Sequence, residues 1–150
     1  MTTTVTLDNA SQQDCLPLMR ALVAAWQAFT GFDARQLREY DLTPSQADVV
    51  FTLGNTDGLT FGEIGERTLI TKGTLTGVVD RLAEKGLVRR VEQHADRRCT
   101  RVVLTPRGVA LFERAFPRHI GALQARFEHL DPAERREATR LLEKIAAVFQ

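Results

Sequence analysis

Apolar residues recur at three- and four-residue spacing through most of the chain, which is the pattern of amphipathic helices. The first apolar stripe begins near Asp14, because Pro17 is tolerated only in the first turn of a helix. We expect a polar tail of about ten residues before this helix and a kink or interruption at Gly31. The stripe consists of Leu16, Met19, Leu22, Val23, Trp26 and Phe29.

Capping signatures mark the starts of five further helices. Gly86 supplies the left-handed residue that ends the third of them. The helix after Thr105 has apolar residues spaced like a coiled-coil seam, and Pro117 is expected to bend it. The capping residues are Thr43 with Pro44 and Gln46, Thr60 with Glu63, Thr71, Thr105 with Pro106, and Asp131 with Glu134.

Two β-branched runs, LVRRVE (87–92) and TRVVLT (100–105), predict a β-hairpin with its tip at Gln93–Arg98. A short helix, a tight turn, a capped helix and then a hairpin form a helix-turn-helix followed by a wing. We therefore predict a fold that is mainly α with a small β-hairpin wing. A single domain is expected, with the winged helix at about 43–104 and flanking helices at about 14–40 and 105–149.

Charge changes the picture, because the net charge of +1 hides a strong asymmetry. Residues 67–107 contain ten basic and four acidic residues, a net charge of +6, and the rest of the chain carries −5. A solvated charge run would more often interleave the two signs. The asymmetry indicates one cationic working face on an acidic body, as a nucleic-acid-binding protein requires.

The helix after Thr71 has the two faces that a DNA recognition helix needs. Leu75, Val78, Val79 and Leu82 form its core face. The opposite face includes two glycines one turn apart, which would let the backbone sit deep in a groove. Asp80 and Glu84 on that face would repel phosphate, so we expect them to stay outside the groove. The residues predicted to contact DNA are Thr71, Lys72, Gly73, Thr74, Thr76, Gly77, Arg81, Arg89, Arg97, Arg98 and Arg101.

From about Leu42 to Gly108 the chain resembles the MarR (multiple antibiotic resistance regulator) family of bacterial transcription factors. The resemblance rests on LTPSQADVVFTL, on the helix-turn-helix, and above all on the wing, ADRRCTRVVLTPRG. It implies that Asp96 braces the wing while Arg98 enters the minor groove, where a narrow A·T tract attracts arginine. It also implies a homodimer through the first and last two helices. A monomer that uses the same apolar stripes for its own core is the alternative.

The resemblance further implies a small aromatic or phenolic effector bound between the dimer helices and the DNA-binding part. Aromatic residues at helical spacing are also typical of plain core. The candidate residues are Arg20, Trp26, Phe29, Phe32, Arg38 and Tyr40, with an arginine as the anion partner.

Taken together, the resemblance implies a ligand-responsive repressor that binds a pseudo-palindromic operator as a homodimer. Two further functions stay open. One is an oxidant sensor that uses Cys15, since a thiol near a helix N-terminus favours thiolate; the peroxide-sensing branch of the family pairs such a cysteine with tyrosines, whereas Tyr40 is the only tyrosine here. The other is a winged helix that binds a protein instead of DNA.

No motif in the sequence indicates an enzyme or a membrane protein. We see no glycine-rich phosphate loop, nucleophile elbow or zinc-ligand spacing, so no catalytic residues, cofactor or metal are expected. The first residues lack the features of a signal peptide, and no apolar run is long enough to span a membrane. Two cysteines are too few for a disulfide scaffold, so we expect a cytoplasmic protein with reduced thiols.

Overall fold

Helices account for most of the structure, which is a computed structural model. It describes residues 4–68, 70–93 and 96–150, and the side chains of all of these except residues 93 and 96–99. The chain forms two units, one up to Pro44 and one from Ser45 onwards. The elements are α1 (Leu7–Ala10), α2 (Cys15–Arg38), α3 (Pro44–Leu53), β1 (Leu59–Thr60), α4 (Phe61–Thr68), α5 (Lys72–Glu84), β2 (Val88–Gln93), β3 (Asp96–Leu104), α6 (Pro106–Phe127) and α7 (Pro132–Val148).

The first unit departs from the predicted pattern in two places. The polar tail is wrong in part, because Leu7–Ala10 form a helical turn in which the Thr6 amide donates to Asn9 Oδ1 at 2.8 Å. The predicted interruption at Gly31 is also wrong, since α2 continues from Cys15 to Arg38. A single glycine costs a helix only about 1 kcal/mol relative to alanine, which the 23 other residues of this 24-residue helix outweigh.

The core of the second unit collects one face of each of the helices α3 to α6 around the sheet, whereas α7 has no buried residue. Helix α4 begins with the predicted capping box: the Thr60 amide donates to Glu63 Oε2 at 2.8 Å, and the Glu63 amide donates to Thr60 Oγ1 at 3.2 Å. Helices α3 and α5 are joined where Lys85 Nζ donates to the buried Gln46 Oε1 at 3.0 Å. The largest fully buried side chains of this unit are Leu53, Ile64, Leu75, Leu82, Val49, Val50, Val79 and Val102.

The sheet has three antiparallel strands in the order β1-β3-β2, one more than the predicted hairpin. Strand β1 pairs Leu59 with Val102, but at two residues it is too short to show alternation in the sequence. The predicted tip at Gln93–Arg98 is too long, because β2 reaches Gln93 and β3 begins at Asp96. The pairing of β2 with β3 shifts register between Glu92 and Gln93.

Close packing fixes the start of α6 against the sheet. Thr105 Oγ1 accepts from the Gly108 amide at 3.1 Å, as a capping residue should, and donates to the Gly86 carbonyl at 2.6 Å. A Cβ on Gly108 would overlap the Leu87 carbonyl oxygen, so only glycine fits there. Gly86 has the predicted left-handed conformation, with φ at 71°.

The predicted seam on α6 divides between interior and surface. Phe112 is buried and stacks on Phe116 with ring centroids 5.2 Å apart, and Phe51 contacts Phe116 edge-on at 5.2 Å. Ile120 and Phe127 remain 45% and 46% exposed. Helix α6 is continuous through Pro117. None of the helices in the described ranges is both long and apolar enough to cross a bilayer.

Candidate nucleic-acid interface

Helix α5 buries one face completely and leaves the opposite face open. Leu75, Val79 and Leu82 are 0% exposed, as their spacing predicts. Gly73 and Gly77 are exposed, and a Cβ built on either glycine would meet no heavy atom within 4 Å. Packing within the described structure therefore does not require glycine at these two positions, although each glycine weakens the helix. An external partner that approaches the backbone closely would require it.

Threonine hydroxyls border this open face. Thr71 occupies the predicted N-cap position, but its hydroxyl donates to Thr74 Oγ1 at 3.2 Å instead of capping a backbone amide. The Thr76 hydroxyl donates to the Lys72 carbonyl at 3.4 Å. The hydroxyl oxygens of Thr71 and Thr76 can still accept hydrogen bonds. Lys72 and Arg81 are exposed beside them, so α5 presents polar groups and positive charge at its surface.

Adjacent arginines on β2 leave the sheet on opposite faces, because side chains alternate along a strand. Arg89 is exposed and lines a cavity of about 390 Å³ together with Val103, Phe112 and Glu113. Arg90 points to the other side, where its guanidinium donates to Asp80 Oδ1. The structure thus gives the two arginines different surroundings, which the sequence alone did not distinguish.

Asp80 has a partner that the sequence analysis did not name. It forms an ion pair with Arg90 at 2.5 Å, and the expectation that Asp80 lies outside the groove stays a prediction. The Arg90 guanidinium also lies over the Phe61 ring, 5.6 Å from its centroid. Sequence reasoning missed Arg90, since no spacing rule links a helix residue to a strand residue beyond an intervening turn.

Arg101 is held inside the wing. Its Nη1 donates to the Gly58 carbonyl at 3.0 Å, and its Nε is buried without a hydrogen-bond partner among the described residues. Arg101 also contributes, with Arg67, to a lowered pKa of Glu63, for which the backbone hydrogen bond from Thr60 is the largest cause. The predicted contact between Arg101 and DNA stays a prediction, to which the structure adds a bond within the sheet.

The most specific wing residues lie partly outside the described structure. The backbone of β3 begins with Asp96, Arg97 and Arg98. Their side chains, and that of Cys99, are outside the described residues. The brace by Asp96 and the minor-groove role of Arg98 therefore stay predictions.

The predicted effector residues lie on α2 or just beyond it. Trp26 and Phe29 are 64% and 40% exposed, with ring centroids 6.4 Å apart. Arg20 and Arg38 are both exposed and are separated by five helical turns, about 27 Å along the axis. One small ligand therefore cannot contact both arginines of the same helix. Phe32 and Tyr40 are half-buried.

Cys15 is the first residue of α2 and carries an exposed free thiol. Its position agrees with the predicted helix start, after the N-cap residue Asp14. The hypothesis of oxidant sensing stays untested by this geometry.

This chain is similar in sequence and fold to known transcriptional regulators. The sequence model of the MarR family matches residues 40–98. The HTH-type transcriptional regulator MhqR of Bacillus subtilis is 26% identical over 130 residues, which cover 87% of this chain and 90% of MhqR. Bordetella bronchiseptica BpsR, solved in a study of how 6-hydroxynicotinic acid regulates its DNA binding, is 30% identical with a TM-score of 0.75, over 87% of this chain and 98% of BpsR. AbsC, a MarR family transcriptional regulator from Streptomyces coelicolor, is 22% identical with a TM-score of 0.81, over 99% of this chain and 98% of AbsC.

Proposed function

Because this chain belongs to the MarR family of DNA-binding transcriptional regulators, we propose that it represses its target genes as a homodimer on a pseudo-palindromic operator. It is a regulator and not an enzyme. The observation that carries the proposal is the open glycine and threonine face of α5, which no packing within the described residues explains.

Helix α5 would enter the major groove with its N-terminal end first. There Gly73 and Gly77 would allow the backbone to approach the base edges, and Thr74 and Thr76 would bond to bases or phosphates. Thr71, Lys72 and Arg81 border this surface and would contact the DNA backbone. The helix thus supplies most of the sequence discrimination.

The wing would extend the contact to an adjacent minor groove. We assign Arg98 to the groove, Asp96 to holding its guanidinium, and Arg97 and Arg89 to phosphates. Arg101 is also assigned to the backbone, although its bond to the Gly58 carbonyl limits how far its guanidinium can reach. These assignments predict that the wing contributes both affinity and a preference for A·T pairs.

A homodimer is supported by apolar side chains that remain at the surface of both units. Leu18, Met19 and Trp26 are more than half exposed on α2, and Leu142 is 53% exposed on α7. Monomeric proteins rarely leave large patches of apolar residues exposed. A two-fold dimer would place its recognition helices about one DNA turn apart, roughly 10 bp.

An aromatic carboxylate is the effector class that the relatives favour. The protein similar to this chain at 30% identity has its DNA binding regulated by 6-hydroxynicotinic acid. We propose that Trp26, Phe29 and Phe32 contact an aromatic ring of this class and that either Arg20 or Arg38 pairs with the carboxylate. Such a ligand would lower affinity for the operator by binding the DNA-free form more tightly. As a regulator of transcription, the protein would act in the cytoplasm.

The test is in vitro selection of DNA by the purified protein, followed by fluorescence anisotropy on the recovered site. We expect a two-fold symmetric motif whose binding weakens steeply with salt, since lysine and arginine contacts release counterions. Arg98→Ala should weaken operator binding by roughly 1–3 kcal/mol. A protein that recovers no motif, and whose interactions do not depend on salt, would instead be a protein-binding winged helix.

The effector arm uses the same anisotropy measurement with 6-hydroxynicotinic acid added. We expect release of operator by the wild type and a weaker response in either Arg20→Gln or Arg38→Gln, but not in both. Equal responses in all three proteins would contradict the assignment of these arginines.

A further inference from the structure

We propose that Arg90 is a positioning residue, which orients the recognition helix α5 against the wing by pairing with Asp80 and stacking on Phe61, without itself binding DNA. The inference rests on the proposed function, because operator binding is one of its two readouts. It concerns an arginine that the surface charge alone would assign to DNA.

Three elements meet at the Arg90 side chain. Its Nη2 bonds to Asp80 Oδ1 on α5, and its guanidinium carbon lies 5.6 Å from the centroid of the Phe61 ring, at the start of α4. The ion pair itself is partly exposed, 39% for Arg90 and 50% for Asp80. One side chain of β2 therefore links both helices of the helix-turn-helix to the wing.

The backbone of Arg90 is the fixed end of this link. Arg90 pairs in register with Val102 of β3, and Val102 is 0% exposed. Its strand neighbour Val88 is 3% exposed. Because the strand is anchored in the core while Asp80 is exposed on α5, the ion pair constrains the helix relative to the sheet.

Stability does not explain the arrangement. Exposed ion pairs contribute little to folding, because solvent and salt screen them and two long side chains lose freedom. A guanidinium stacked on a ring and bonded at one edge is, however, held in a defined plane. The contacts of Arg90 with Asp80 and Phe61 therefore fix the orientation of α5 relative to the wing. For DNA binding, a fixed angle between recognition helix and wing sets whether both reach their grooves together.

The proposal and its alternatives predict opposite signs at Asp80. If Asp80 only repels phosphate, Asp80→Asn should tighten binding, since a negative charge is lost. If the carboxylate positions α5 through Arg90, the same variant should weaken binding. A phosphate contact by Arg90 would show separately, as a fall of about one unit in the slope of log K against log salt when the arginine is removed.

The experiment compares Asp80→Asn, Arg90→Gln, the double variant, and the charge-reversed pair Asp80→Arg with Arg90→Asp. Operator affinity is measured by fluorescence anisotropy across a salt series. We expect each single variant to bind roughly tenfold more weakly with an unchanged salt slope, and the double variant to bind no more weakly than Arg90→Gln. The charge-reversed pair should recover most of the affinity.

A matched control removes a different surface ion pair. Arg140 bonds to Glu137 at 2.7 Å on α7, with both side chains more than half exposed. Arg140→Gln should leave operator affinity and salt slope unchanged. Arg90→Lys adds a variant that keeps the ion pair but loses the planar contact, as the charge-reversed pair does, and it should likewise retain most of the affinity.

A second readout needs no DNA. Amide hydrogen exchange of α5 should be faster in Asp80→Asn and in Arg90→Gln than in the wild type, and largely restored in Arg90→Lys and in the charge-reversed pair. If the wild type selects no DNA, the proposed function fails while this readout still tests the positioning role. Tighter binding by Asp80→Asn, a reduced salt slope in Arg90→Gln, or unchanged exchange in α5 would each overturn the inference.

Discussion

Gly77 places a residue that disfavours helices in the middle of α5, where nothing in the described structure needs the space. Gly77→Ala should raise the free energy of unfolding by about 1 kcal/mol, since alanine is the better helix former. It should also weaken operator binding, roughly tenfold, because the new methyl group would hold the backbone away from the groove. Chemical unfolding and anisotropy measure the two effects.

Gly121→Ala on α6 is the matched control, since a Cβ there also meets nothing within 4 Å. It should gain a similar stability with no loss of DNA binding. Equal DNA affinity in wild type and Gly77→Ala would show that α5 does not approach a groove at this residue.

Arg101 allows a structural role and a DNA-binding role to be separated. Its guanidinium bonds to the Gly58 carbonyl, so Arg101→Ala should lower the free energy of unfolding by about 1.5–3 kcal/mol, the scale of a lost hydrogen bond to a charged group. Urea unfolding measures this change. A salt titration of DNA binding tests the assigned phosphate contact separately: Arg101→Ala should lower the slope by about one unit, and an unchanged slope with a lower unfolding midpoint would leave Arg101 a structural role alone.

At the scale of elements, the start of α4 gives the stability a defined dependence on pH. The Thr60 backbone hydrogen bond is the main reason that the pKa of Glu63 lies below its ordinary value of 4.5. A lowered pKa in the folded protein means that Glu63 contributes stability above pH 4.5, and that this contribution is lost as the pH falls through the folded-state value. Wild type should therefore lose more stability than Glu63→Gln when the pH falls from 7 to 3.

The measurement for this prediction is the urea midpoint at a series of pH values. Glu66→Gln, an exposed carboxylate on the same helix, serves as the control and should follow the wild type. If the curves of urea midpoint against pH are parallel for wild type and Glu63→Gln, protonation of the Glu63 carboxylate does not affect stability.

For the whole molecule, the main prediction is a dimer of the 16.8 kDa chain. Leu141 and Leu142 are 43% and 53% exposed on α7, and we expect a second copy to cover them. Sedimentation velocity at micromolar concentration should show about twice the chain mass. Leu142→Glu should shift the protein towards monomer and weaken operator binding with it, because a buried carboxylate at the interface is strongly unfavourable.

Arg136→Glu places the same carboxylate about 120° around α7 from Leu142 and about 140° from Leu141, and should leave the dimer intact. A wild type that sediments only as monomer would contradict both the dimer and the two-fold operator. Leu142→Glu sedimenting like the wild type would instead move the dimer contact away from α7.

Local order in this protein could be predicted from the sequence because its signals lie within a few neighbouring residues. The capping boxes at Thr60 and Asp131 and the cap at Thr105 are each closed by a residue three positions further on. The buried face of α5 follows from residues one or two turns apart. The wing pattern and the helix-turn-helix were enough to indicate the family.

Only the tertiary structure decided which distant residues meet. Strand β1, the Asp80–Arg90 pair and the bond from Arg101 to Gly58 join positions up to 43 residues apart, and no periodicity connects them. It also decided that Arg89 and Arg90 have different surroundings, although they are neighbours of the same type. The physical reason is that hydrogen bonds and ion pairs depend on distance in space, which chain spacing determines within a helix or a turn but not between elements.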